Sequence, residues 1–145
     1  MNTDYLKMCK SANEIQELKL KREFEEFTEY RYNKGDTIEY YGTVTTLESD
    51  WSDYISCSEL SYPKSVFWLP AFEQLLKLFD PKDDFFSILH FSNFLQDKMT
   101  EDHGYGLLFP TKEMIALSFI MERKFNVKSG WNRNSRGQLD GGWIR

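Results

Sequence analysis

The spacing of apolar residues divides the chain into helical and extended stretches. Asn2 or Thr3 can cap a short first helix through Lys10. From Asn13 to Tyr30, the residues Ile15, Leu18, Phe24, Phe27 and Tyr30 fall mostly at helical intervals, which fits one long helix or two broken ones. The remaining positions mix Glu14, Glu17, Lys21, Glu25 and Glu29 with Lys19 and Arg22, the composition of a solvated helix face. Asn33 to Asp36 reads as a turn, and Thr37 to Leu47, rich in Thr, Tyr, Ile and Val, as a strand bent at Gly42. Glu48 to Glu59 holds four acids, four serines and no basic residue, and reads as an exposed loop with Trp51, Tyr54 and Ile55 as partial anchors.

Ser65 to Trp68 predicts a short strand that ends at Pro70. Pro70 suits the first turn of a helix, where its missing N–H has no intrahelical partner, and it biases Leu69 toward extended geometry. The helix that follows puts Phe72, Leu75, Leu76 and Phe79 on one side and stops at Asp80-Pro81. Asp83 and Asp84 open another, to about Asp97, with Phe85, Ile88, Leu89, Phe91, Phe94 and Leu95 as its apolar positions. Leu107 to Phe109 can add a strand. Thr111 caps a last helix that is apolar over most of its circumference from Met114 to Phe125 and therefore belongs at the centre of the fold. Beyond Lys128 the sequence turns to Gly, Asn, Ser and Arg with Trp131 and Trp143, a tail over residues 128–145 that packs on the body as a loop or short hairpin, or is partly flexible. The order of elements predicts one α+β domain over residues 1–145, a small mixed sheet packed by about four helices.

Composition supports a folded core. The 145 residues include 12 Phe, 8 Tyr and 4 Trp, rings whose area compensates for a modest number of aliphatic side chains. Two distant cysteines, Cys9 and Cys57, without a hydrophobic leader after Met1, point to reduced structural thiols and a cytoplasmic protein. No apolar run approaches the roughly 18 residues of a membrane-spanning helix. Net charge is −5, unevenly spread. Residues 1–34 balance seven basic against seven acidic side chains, residues 35–121 carry five against fourteen, and residues 122–145 carry six against two. An acidic body argues against broad binding of a phosphate backbone, leaving the basic tail as the exception.

Three places carry a family resemblance. Met8 to Gln16, Trp68-Leu69-Pro70 followed by Gln74-Leu75, and Leu117 to Lys124 followed by Trp131 resemble the opening helix, the Trp-Leu-Pro turn and the last helix with its terminal Trp in a group of small, uncharacterised proteins encoded in phages and prophages of gut and related bacteria. Trp-Leu-Pro is the most specific of the three. The chain departs from that pattern at Ala71 and Phe72, which replace polar positions, and in a longer Gly/Arg ending beyond Trp131. The resemblance implies a phage or mobile-element protein in the cytoplasm of a bacterial host. The group has no known activity, so no active site carries over.

Candidate chemistry is sparse. His90 lies between Leu89 and Phe91, as a core or boundary histidine does. His103 follows Glu101-Asp102 in a glycine-bearing loop, without a CxxC, HxxxH or HxE pattern to complete a metal site. Nothing near Cys57 favours a thiolate, since Ser56, Ser58 and Glu59 flank it. The paired acids Asp83-Asp84 and Glu101-Asp102 sit where capping and solvation use them. No metal or cofactor is expected, and a small hydrolase or metal enzyme built on His90, His103 or Cys57 is the third-ranked reading.

Two surfaces suit binding. Glu48, Asp50, Trp51, Asp53, Tyr54 and Glu59 combine acids that steer basic partners with aromatics that anchor interfaces, or else form a solvated loop whose rings tuck inward. Trp131, Arg133, Arg136, Trp143 and Arg145 interleave aromatic and basic side chains as single-stranded nucleic-acid binders do, or dock on the chain's own acidic surface. The leading expectation is a non-enzymatic phage accessory protein that binds a host protein, in concrete form an anti-CRISPR-like inhibitor whose acids occupy a basic nucleic-acid channel. The alternative is a single-stranded nucleic-acid accessory protein using the tail.

Overall fold

Among the described residues, extended backbone begins at Thr37, and the β-branched run found there pairs with itself. In the computed structural model, which describes residues 3–17, 37–40, 43–46 and 66–145, the fold is α+β. Chain contacts divide it into two units, residues 12–70 and residues 1–11 with 71–145.

In the first unit, Thr37–Tyr40 (β1) pairs antiparallel with Thr43–Thr46 (β2), Tyr40 opposite Thr43, so the single bent strand expected from Thr37 to Leu47 is two strands. Val66–Trp68 (β3) pairs antiparallel with the other edge of β1 and gives the order β2-β1-β3. Ile38 and Trp68 face each other in that register and are both buried. Successive residues of a strand direct their N–H and C=O to opposite sides. Leu69 donates its N–H to Thr37 O, so the polar backbone groups of Trp68 face away from β1. Gln16 satisfies both. Its Oε1 accepts from Trp68 N and its Nε2 donates to Trp68 O, each at 2.9 Å. Residues 13–17 are helical (α2), and Ala12 and Ile15 are buried there.

In the second unit, Thr3–Ser11 (α1) buries Tyr5, Met8 and Cys9. Phe72–Phe79 (α3) has Ala71 as its N-cap in extended geometry, so Pro70 stands one residue ahead of the cap rather than in the first turn. Ala71 has no capping side chain, and Gln74 Oε1 instead reaches back to accept from Ala71 N at 2.8 Å. Asp84–Glu101 (α4) is capped by Asp83, whose Oδ1 accepts from Phe86 N at 3.0 Å. It runs a turn beyond the expected end near Asp97, because nothing before Asp102 and Gly104 breaks it. Tyr105–Leu108 (α5) is one helical turn where a strand was expected. Leu107 and Leu108 both donate to Gly104 O, which curls the segment before any strand partner is met.

Lys112–Phe125 (α6) begins at Thr111, whose hydroxyl accepts from Met114 N, and ends at Asn126 in left-handed geometry, with Val127 N donating back to Met121 O. Its unbroken buried run from Ala116 to Met121 makes it the central helix that its sequence predicts. Phe119 is the hub of the aromatic core, with ring centroids 4.9 Å from Phe79, 5.7 Å from Phe91 and 5.4 Å from Phe94.

The tail is a two-tier hairpin. Lys128–Ser129 (β4) pairs with Trp143–Ile144 (β7), and inside that ladder Asn132–Arg133 (β5) pairs with Leu139–Asp140 (β6). Asn134 organises the inner turn, its Oδ1 accepting from Arg136 N and Gln138 N. Every strand pair among the described residues is antiparallel.

Candidate functional site

The first two turns of α4 are built with the polar side chain inward and the apolar ones outward. Ser87 is fully buried and its Oγ donates to Asp80 O at 3.4 Å. Phe85, Ile88 and Leu89 are 75%, 49% and 47% exposed. At 100° per residue these three share one side of the helix, which continues through the exposed Ser92 and Gln96 to Met99. The inner side is anchored by Phe91 and Phe94 against Phe119, which leaves the outer side no part in the core. Monomers scatter exposed hydrophobes singly, and a contiguous group marks contact with another surface. Acids flank it. Residues 71–101 hold Glu73, Asp80, Asp83, Asp84, Asp97 and Glu101 against Lys77, Lys82 and Lys98, six against three.

The far end of α4 borders a cleft. Lys98 pairs with Glu122 at 3.0 Å and lies over the Phe94 ring. Tyr105, Phe109 and Trp131 form much of the adjoining wall.

The predicted tail residues are brought together, but their rings face inward. Trp131 and Trp143 are 6% and 8% exposed and meet edge to face at 5.8 Å, which leaves no indole face for a base to stack on. Trp143 Nε1 donates to Met8 O, and Arg133 binds Asp4 and Leu108 O. Arg145 is exposed and donates to Ser11 O, while Arg136 is exposed on the inner turn. The acidic aromatic set Glu48, Asp50, Trp51, Asp53, Tyr54 and Glu59, and Cys57, lie outside the described residues.

His90 is half-buried in an aromatic stack, its ring 5.1 Å from Phe79 and 4.2 Å from Phe86, as a boundary histidine should be. His103 is exposed between α4 and α5. Among the described residues, no group of three or more His, Cys, Asp or Glu could hold a metal ion, and no helix is long and apolar enough to cross a membrane. Burial pushes the Cys9 thiol far above its ordinary range, only partly opposed by its hydrogen bond with Tyr5, so it stays protonated and unreactive.

The outward face of α4 was the part hardest to read in advance. Its residues are apolar on both sides, and the one useful signal is Ser87, a small polar residue on the side that carries Phe91 and Phe94. Compared with known proteins, the chain matches no family model, no curated protein and no solved structure.

Proposed function

We propose that this chain works without catalysis, by binding another protein through the outward face of Phe85, Ile88 and Leu89, and that the partner presents an apolar groove rimmed by Lys or Arg. The inverted packing of α4 carries this reading. Three large apolar side chains stand in water while Ser87 occupies the interior, an arrangement that costs solvation unless a partner covers it. The surplus of acids around the helix gives the partner its charge, since complementary potentials set the rate and register of encounter. The resemblance to phage-encoded proteins extends the proposal to a host protein, and in its sharpest form to a basic effector of an anti-phage defence.

Ile88 replaced by a photo-crosslinking residue, in the natural bacterial host, tests it directly. A single host protein captured by this chain, lost in the double variant Phe85→Asp, Leu89→Asp and then bound by the purified chain with an affinity that falls as salt rises, is the expected result. Equal binding by the folded double variant, or capture of a second copy of the chain alone, overturns it.

A further inference from the structure

The exposed side of α4 extends well past its first two turns. With Phe85, Ser92 and Met99 at position a of a heptad, Ile88 and Leu95 stand at d and Leu89 and Gln96 at e. All but the half-buried Leu95 are exposed. At 100° per residue this row spans about 120° of the helix, and from Phe85 to Met99 it runs about 21 Å along the axis. A two-stranded coiled coil uses only a and d, whereas a helix lodged against two neighbours adds e. Apolar area continues beyond the row. Met99 Cε lies 3.8 Å from where a Cβ on Gly106 would stand, and Leu107, the next residue of α5, is 82% exposed.

Side-chain size and charge along the row define its occupant. Ser92, the smallest of these residues, is at the midpoint, with Phe85 and Met99 at the ends. Helices that cross at about 20° approach most closely at one point and splay on either side, so a small residue suits the crossing and long ones the ends. No Asp, Glu, Lys or Arg occurs from Phe85 to Gln96, while Asp84 and Asp97 flank the row on opposite edges. The single Lys or Arg of α4, Lys98, is paired with Glu122. Acids on the flanks repel a second copy and anionic headgroups and attract basic side chains. Ser92 and Gln96, once covered, need a hydrogen-bonding group opposite them. We propose that the partner's groove lies between two of its own helices and takes α4 as the third member of a helical bundle, with Lys or Arg at the rim and a polar side chain facing Ser92 and Gln96. This rests on the protein-binding reading above and extends its contact from the first two turns of α4 to Met99 and Leu107.

The test places the photo-crosslinker benzoylphenylalanine at Ile88, Gln96, Met99 and Leu107, one position at a time, in the full chain in its natural bacterial host, and maps the residues each one traps. All four positions should trap the same host protein. The trapped residues should recur every three or four positions within two separate segments of that protein, the spacing of two helices. Met99→Asp combined with Leu107→Asp should weaken binding to the purified partner by about tenfold or more. Leu107→Asp alone serves where the double variant does not fold. Capture at Ile88 with none at Met99 and Leu107 overturns this proposal and leaves the protein-binding reading standing. So do trapped residues that alternate as in a strand, scatter, or fall in one segment, and so does unchanged affinity in the folded variant. Crosslinks to lipid alone, to a second copy alone, or to nothing overturn both.

Discussion

Arg133 and Asp4 meet at 2.7 Å across 129 residues of sequence, joining the terminal hairpin to the first helix. Both side chains are largely shielded, and the same guanidinium also donates to Leu108 O at 2.8 Å, so one arginine ties β5 to both α1 and α5. Lys7 Nζ to Leu139 O and Trp143 Nε1 to Met8 O repeat the attachment along the face of α1. Arg133 and Arg145 of the basic tail thus have internal partners, most of them backbone carbonyls.

Removing that arginine should therefore act on stability. Arg133→Ala leaves a partly buried carboxylate and a carbonyl without their donor, and is expected to cost about 1–3 kcal/mol. Asp4→Asn, which keeps a hydrogen-bonding shape, should cost less. Urea unfolding of the two single variants and the double variant measures the coupling. Strict additivity would show that the pair contributes nothing.

The apolar outward side of α4 makes a contrasting expectation. Leu89 is 47% exposed, so Leu89→Asp should cost less than about 1 kcal/mol, near the range of surface substitutions. Phe94→Ala, five residues along on the buried side, should cost about 3–5 kcal/mol. Thermal or urea denaturation of the two separates a docking face from a misjudged core. A large loss in Leu89→Asp would mean that the outward residues are structural.

How far this arrangement was legible depends on the residues concerned. Thr111 and the apolar run from Met114 to Phe125 announced α6, because a capping hydroxyl and a near-continuous apolar circumference allow few alternatives. Asp83 announced the start of α4 in the same way. Periodicity was mute about which side of α4 turns inward, since Phe85, Ile88 and Leu89 are as apolar as Phe91 and Phe94, and tertiary packing decides. Leu107 to Phe109 is too short for its period to distinguish a strand from a helical turn. Trp131 and Trp143 carry rings and polar handles suited to a base or to a core, and only the contacts of the hairpin assign them to the core.

The edge of the small sheet offers a third test. Gln16→Ala removes the side chain that binds Trp68 N–H and O, and the loss of those hydrogen bonds should cost about 1–3 kcal/mol. Gln16→Glu should be intermediate, because its carboxylate can still accept from Trp68 N but has no N–H for Trp68 O. Hydrogen exchange at the Trp68 amide reads the effect locally. Unchanged protection in Gln16→Ala would mean that the amide is held by something other than this side chain.

Alkaline pH gives a fourth. Burial raises the Cys9 thiol above its ordinary value of 9.0, and raises Tyr5 and Tyr105 above 10.0. Above those ordinary values the unfolded chain loses protons that the folded chain keeps, so the unfolded state binds fewer protons and stability falls as pH rises. The contribution is fully present below about pH 8.5, near the free thiol value, and declines from there through the alkaline range. Stability measured in urea between pH 7 and 11 should fall more gently in Cys9→Ala than in the parent chain. An identical slope in both would remove the thiol from the account.

The hairpin's glycines separate two reasons for the same residue. Gly137 has φ +73° with open space around it, whereas Gly141 has φ +99° and lies so close to Gly130 O that a Cβ would collide with that backbone atom. Asn tolerates left-handed geometry, so Gly137→Asn should cost less than about 1 kcal/mol. Gly141→Ala meets both the dihedral penalty and a backbone obstruction that no rotamer relieves, and should cost more than about 2 kcal/mol, at the upper end of the strain range. Because Gly141 lies between β6 and β7, its replacement should also expose the edge of α1 that the hairpin covers. Faster hydrogen exchange at Tyr5 to Cys9 in Gly141→Ala, with Gly137→Asn unchanged, is the expected signature. Equal and small effects at both glycines would show that the hairpin yields locally and does not hold α1.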